Sequence, residues 1–488
     1  MRAKVSLRCN EFAVPRAFAS PRLQSSRDPE PEAKSRKHSI MPTNRSSART
    51  LFRGGTVVTM DRNLGDLPQG DVLVEGTRIV AVASDLCVED ALIIDARNAL
   101  VMPGFVNTHQ HAWLGALRGL LPNIASLPEY FELIPFALGR YYQPYDMFIS
   151  TMLTSLSCLD AGITTILDAC HNTLTPKHSD AALDAFVQSG IRALHMVGKP
   201  LGEIAAPHWP GDLDRLRERL GGADGRVSVG LFANVTDADA WAFARERKFK
   251  ILSEFGNWEG TVLDGLSREN LLGNDNIFNH CTQLSAVDWT VLRSAGVNVT
   301  LNPRSDSLFG LEADGLSYQS AVEHGIMPGL GIDIDTSHSG DMFGEMRACF
   351  YQQRTFSQRR KAAGDAAAPR PIDVRAILEA ATINGANCIG VGDVTGSLAP
   401  EKEADIIMIR SDGIGVMPSR HALGNVVHMA NRSDVATVMV AGRLRKHEGR
   451  LIDVDLEKIR ELAESSRRHL LQAANFSEGH FSDRFPAA

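Results

Sequence analysis

His109 and His111 close the run Pro103-Gly-Phe-Val-Asn-Thr-His-Gln-His111, two positions apart. The residues between the Pro-Gly entry and the first histidine read as a short buried strand. On a strand, positions two apart share a face, so both imidazoles point the same way. Two imidazoles side by side at a strand end make half of a divalent-metal site. By itself such a pair is equally an ordinary polar strand edge. The elements around it decide between the two.

Those elements alternate. After the strand at Phe105, apolar β-rich runs fall at 162–168, 191–197, 227–232, 250–255, 276–280, 297–301 and 328–333, with helical patterns between most of them. Eight such units predict a (β/α)8 barrel of the TIM type, an α/β fold. Shorter period-2 runs precede it at 56–60, 71–75, 78–82, 91–95 and 99–102, and return at 404–409 and 436–440. The expected layout is therefore a small β-sandwich domain from residues 49–103 and 396–455, with the barrel, 104–395, inserted in it. Residues 373–389 read as helical, and residues 456–488 as a C-terminal helix and tail.

Composition narrows the function. The chain has 488 residues, 44% of them hydrophobic and 22% charged, as in an ordinary globular protein. The net charge of −7 and the scatter of Lys and Arg argue against nucleic acid or an anionic membrane as partner. No apolar run reaches bilayer length. Seven scattered cysteines without a Cys-x-x-Cys point to a reduced, cytoplasmic setting. There is no Walker A motif and no Gly-x-Gly-x-x-Gly cradle for phosphates. Residues 1–48 read as a disordered tail rich in Pro, Ser and Arg. That tail suits a transit peptide, although its acidic residues weaken the reading and a start at Met41 is the simpler account.

The chain resembles the amidohydrolase superfamily, in its cytosine-deaminase-like and triazine-hydrolase-like branch. The motifs that carry the resemblance are the His-x-His run, Gly162-Ile-Thr-Thr-Ile-Leu-Asp168, Asn279-His-Cys-Thr-Gln-Leu-Ser285 and Gly329-Leu-Gly-Ile-Asp333. Gly340-Asp-Met-Phe-Gly-Glu-Met-Arg347 and Gly396-Ser-Leu-Ala-Pro-Glu-Lys-Glu-Ala-Asp405 add to them. The resemblance implies one divalent metal ion at the barrel's C-terminal face, zinc first, with iron or manganese as alternatives. It implies His109, His111 and Asp333 as ligands, with Asp333 also moving a proton. His280 would orient the attacked group or the water. A metal lowers the pKa of its water to ~7, and the hydroxide attacks an sp2 carbon. Dimerisation is likewise an expectation carried by the resemblance alone.

The fifth strand departs from that pattern. The family places His-x-x-Glu there, whereas this chain reads Lys250-Ile-Leu-Ser-Glu-Phe-Gly-Asn257. Alignment puts Glu254 at the ligand position, where carboxylate oxygen still suits zinc or iron, and gives it a catalytic place too. Asn257 falls at the acid position, and an amide transfers no proton at neutral pH. Other titratable groups expected on the same face are His171, Lys199, Asp335, His338 and Asp341. Each has a structural alternative: Asp168 with His171 as a satisfied pair, Asp341 as a helix cap. His324 reads as a helix-end residue and His195 as core. The bulky stretch 113–142, with Trp113, Leu114, Leu120, Tyr130, Phe131, Phe136, Tyr141 and Tyr142, would roof a pocket, form a subunit contact or fill a small core of its own.

Three functions fit. The first is a metal-dependent hydrolase that breaks a carbon–nitrogen bond, as a deaminase or cyclic amidase, in a small apolar or heterocyclic molecule. The second is a non-hydrolytic lyase, dehydratase, isomerase or cyclase on the same scaffold, motivated by the absent His-x-x-Glu. The third is a catalytically silent binding protein, since fold alone does not choose.

Overall fold

The computed structural model describes residues 49–481, apart from 203, 223, 313–315, 419, 478 and 479. The tail expected to be disordered over residues 1–48 lies outside the described residues.

Eight parallel strands form one sheet in chain order: Phe105–Gln110, Ile163–Cys170, Arg192–Gly198, Val227–Phe232, Ile251–Gly256, Asn276–Thr282, Asn298–Leu301 and Gly329–Leu330. They are called the first to eighth barrel strands below. Every residue of Ile163–Cys170 and of Arg192–Gly198 is buried. Continuous burial is what a parallel strand shows when helices cover one side and a packed core the other. Val106, Leu167, Leu194, Leu252 and Ile277 belong to one buried apolar cluster, so the barrel is filled and not a pore. A single bridge, Gln110 to Asp333, joins the first strand to the chain just past the eighth.

The eighth strand is shorter than the sequence predicts. It ends at Leu330, opposite Leu301, where its ladder partner the seventh strand also ends. The helix expected over 373–389 is two helices, Val374–Ala380 and Ile383–Cys388. The break leaves the Ala381 carbonyl free to accept from Val106 N at 2.9 Å, which ties the pair to the floor of the barrel.

A second sheet draws on both chain ends. Its order is Arg450–Leu451, Arg443–His447, Val435–Val440, Ile406–Arg410, Ala99–Pro103, Arg49–Val57, Leu67–Glu75 and Arg78–Ala83, with Ala91–Asp95 pairing beside Arg49–Val57. Its first strand begins earlier than the predicted 56–60 and ends at Val57. Phe52, Val72, Val74, Ile406 and Met439 form its core.

The stretch 113–142 folds into short helical pieces, among them Leu127–Phe131, capped by Ser126. Trp113, Leu114, Leu120 and Tyr142 are buried there with Leu470 and Leu471 of the C-terminal helix Leu456–Ala473. Phe136 and Tyr141 stay exposed, while Tyr130 and Phe131 reach a cavity above the barrel. The segment is thus both a small core and a roof. Among the described residues no helix is long and apolar enough to cross a membrane.

Candidate metal centre

Strand geometry brings four side chains to one place at the C-terminal mouth. His109 lies on the first barrel strand and His111 one residue past it, while Glu254 stands on the fifth and Asp333 follows the eighth. Nε2 of His111 is 3.2 Å from Asp333 Oδ1 and 3.3 Å from Glu254 Oε1. Nε2 of His109 is 3.4 Å and 3.8 Å from the same two atoms. Donors around a tetrahedral ion with ~2.1 Å bonds stand ~3.4 Å apart. The cluster therefore has the spacing of a metal site.

A second observation tests the fit. His109 is fully buried, and neither of its ring nitrogens has a hydrogen-bond partner. Leaving a buried polar atom unpaired is costly, about 1–3 kcal/mol. Of the two, Nε2 is the one that faces Asp333 and Glu254, and a cation at that centre would satisfy it.

The surroundings fix the ligand atoms. His111 Nδ1 donates to the Ala169 carbonyl at 2.6 Å, so its Nε2 lone pair faces the centre. Ser305 Oγ donates to Asp333 Oδ2. Asp333 N donates to the His109 carbonyl at 2.8 Å, and the Asp333 carbonyl accepts from His111 N at 2.9 Å. Asp333 and His280 both hold left-handed backbone, each with φ +68°, a strain that persists where surroundings over-determine it.

Charge is balanced within the cluster. Burial opposes protonation of His111, but Asp333 and Glu254 outweigh it and lift the imidazole to about 10. Burial opposes ionisation of Glu254, yet His111 leads the groups that hold it down to about 2. Asp333 is held well below the carboxylate range by His109 and His111 despite its burial. His109 is pushed down, chiefly by burial. Two carboxylates facing two imidazoles call for positive charge at the centre, as a proton or as a cation.

His280, on the sixth strand, sits beside the cluster with its ring 5.9 Å from that of His109. Its Nδ1 is 2.6 Å from Asp306 Oδ1, so Nε2 is the nitrogen left for the site. Burial opposes its charge, and Asp306 outweighs burial, raising it to about 9.

The remaining sequence candidates separate. The expected Asp168–His171 pair does not form: Asp168 Oδ2 takes His195 Nδ1 at 2.6 Å, and its Oδ1 takes the Ala112 N–H at 2.9 Å. Register explains this, because Asp168 and His195 are directly paired on adjacent strands. His171 is left on the cavity wall, held down to about 3 by burial and by His111. Asn257 is exposed and opens the short turn Asn257–Glu259. Trp258 lines the cavity instead, folded against Gly256, where an added Cβ would meet the indole ring at 2.3 Å. Lys199 pairs with Asp237 at 3.0 Å, and Asp335 with Arg118 at 2.7 Å. Asp341 caps the helix Met342–Ala362 through Gly344 N, and His324 caps the end of Ser317–Glu323.

The cavity over the cluster has a volume of about 350 Å³. Leu127, Tyr130, Phe131, Trp258, Phe309 and Leu311 supply its apolar and aromatic wall. The Tyr130 hydroxyl is buried without a hydrogen-bond partner.

Comparison with known proteins follows the same lines. The profile of the amidohydrolase family matches residues 244–445. A 5'-deoxyadenosine deaminase of Methanosarcina mazei is 25% identical over 459 residues, covering 88% of this chain and 100% of its own. A 5-methylthioadenosine/S-adenosylhomocysteine deaminase of Desulfitobacterium hafniense is 26% identical, over 83% of this chain and 95% of its own. An adenosine deaminase of Xanthomonas campestris, solved with zinc, superposes with a TM-score of 0.76 at 22% identity, over 87% of this chain and 99% of its own. Over residues 244–445 the chain is thus similar to the amidohydrolase family.

Sequence reasoning missed Asp306, Ser305 and the isolation of His171. The signal for the first two was present in Asn302-Pro-Arg-Ser-Asp306, which begins where the seventh strand ends. In a barrel the ends of strands face the site.

Proposed function

We propose that this protein is a metal-dependent hydrolase that breaks a carbon–nitrogen bond at an sp2 carbon of a small heterocyclic molecule. The observation that carries the reading is the meeting of His109, His111, Glu254 and Asp333, with the Nε2 of His109 unpartnered among them. His109, His111, Asp333 and Glu254 are the proposed ligands, and zinc, iron and manganese all suit imidazole with carboxylate. Such an ion supplies Lewis acidity and a water acidic enough to lose its proton near neutral pH.

The protein's own groups do the rest. Asp333, with Oδ2 tied to Ser305, accepts the proton of the attacking water and passes it towards the leaving nitrogen. His280, its Nδ1 tied to Asp306, presents Nε2 to the group under attack. The aromatic wall excludes water and stacks on a flat ring. The relatives named above are deaminases of adenosine derivatives. A heteroaromatic amine is accordingly the substrate class we favour: amine and water give the oxo compound and ammonia.

One observation favours a second reading, a lyase or isomerase. Asn257 is exposed, so no acid from that position faces the cavity. Incubating metal-loaded protein with a panel of heteroaromatic amines and cyclic amides in H2(18)O separates the two. Ammonia or ring opening with 18O in the product supports hydrolysis. Turnover without solvent oxygen in the product overturns it in favour of the second reading.

A further inference from the structure

His171 has no assigned work in the reading above, and its surroundings are unusual for an idle residue. It directly follows the second barrel strand and is 95% buried, with 5% of its surface exposed. Its ring stands 4.6 Å from that of His111, 5.5 Å from that of Trp113 and 5.8 Å from that of Phe232. Its Nδ1 is buried without any hydrogen-bond partner. The carboxylate that a sequence reading assigns to it, Asp168, is fully engaged by His195 and Ala112 N.

The cluster lies within reach of its ring. One ring nitrogen of His171, one of His111 and an oxygen of Glu254 lie within 4.8 Å of one another. Donors on opposite sides of one cation, with bonds of ~2.1 Å, stand up to ~4.2 Å apart. The three atoms are thus within small rotamer adjustments of a common ion. The fifth strand, meanwhile, offers a carboxylate where an imidazole is expected. We propose that His171 is a further ligand of the cation, so that the second strand provides the imidazole the fifth strand lacks.

The resulting donor set is three imidazoles, from His109, His111 and His171, with the carboxylates of Glu254 and Asp333. Five protein donors suit a cation whose coordination number exceeds four, because hydrolysis still needs one open position. The cluster then differs in kind from a closed tetrahedral site.

The inference rests on the metal reading of His109, His111 and Asp333, and the test keeps the two apart. The full chain is stripped with a chelator and reloaded with zinc alone, and X-ray absorption counts the imidazoles around the ion. Wild type is expected to show three and His171→Ala two, with apparent zinc Kd raised at least ~10-fold. His171→Gln repeats the measurement with a side chain of similar volume, and circular dichroism of the stripped proteins checks folding. An unchanged imidazole count and a Kd within about threefold of wild type in both folded variants overturn the proposal while leaving the metal reading intact. Failure of wild type itself to take up zinc, cobalt, manganese or iron overturns both.

Discussion

The Nδ1 of His280 and the Oδ1 of Asp306 lie 2.6 Å apart beneath the cavity. The contact joins the sixth strand to the helix Pro303–Leu308 and turns the other imidazole nitrogen to the site. Asp306→Ala frees the ring to rotate without removing a proposed ligand. We expect roughly a 10- to 100-fold loss of kcat with metal content unchanged. Equal loss of metal and activity would show that Asp306 supports the ligands themselves.

The ligand assignment makes a stronger demand. His109→Ala and Asp333→Ala should each lower bound metal from about one ion per chain to a small fraction of that, with the fold retained. Chelation of wild type should lower its Tm by several degrees, since an ion at ~1,000 times its Kd stabilises by about 4 kcal/mol. Elemental analysis beside a thermal melt reads both, and full metal content in either variant would remove that residue from the site.

Asp168 concerns stability more than chemistry. It is buried and satisfies both His195 and the Ala112 N–H. Asp168→Ala strips a partner from each and should cost about 3–5 kcal/mol. Urea denaturation checks this, and a loss below about 1 kcal/mol would show that the pair contributes little.

Glu312 gives a pH signature. Burial, aided by Asp306, raises its carboxyl to about 7 against the hydrogen bonds from Ser317. The unfolded chain gives up this proton near the ordinary glutamate value of 4.5, before the folded one does. Folding therefore favours the protonated form. Stability from this group is greatest below pH ~4.5 and falls as pH rises towards about 7. Denaturant titrations of wild type should lose on the order of 2–3 kcal/mol across that window relative to Glu312→Gln. Parallel curves would mean that Glu312 is ionised throughout.

Much of this was readable before any coordinates. His-x-His at a strand end, and Asp333 after a Gly-rich strand, are local patterns whose geometry follows from strand periodicity. The barrel was readable for the same reason, since eight apolar runs leave few topologies open. Partnerships across the sheet were harder. Asp168 stands three residues before His171 in sequence, yet register sets it beside His195. Glu254 reaches the ligand position in the sequence only by alignment with the family pattern, and it is the fold that brings His109, His111 and Asp333 to it. Asn257 aligned with an acid position, but the chain turns outward after Gly256, and Trp258 takes the inner place. Backbone direction after a strand end depends on packing that no short motif carries.

The barrel's ring is fastened lightly at one place. Between the first and eighth strands the backbone runs through Asp333: its N–H and that of Ile332 reach the His109 carbonyl, and its own carbonyl takes the His111 N–H. The residue that would grip the ion is thus also the clasp of the cylinder. A cation there would act as a rivet, drawing in the side chains of the same three residues whose main chains make the join. Filling the centre and tightening the barrel would then be one event, and an empty chain would slacken first at its catalytic rim.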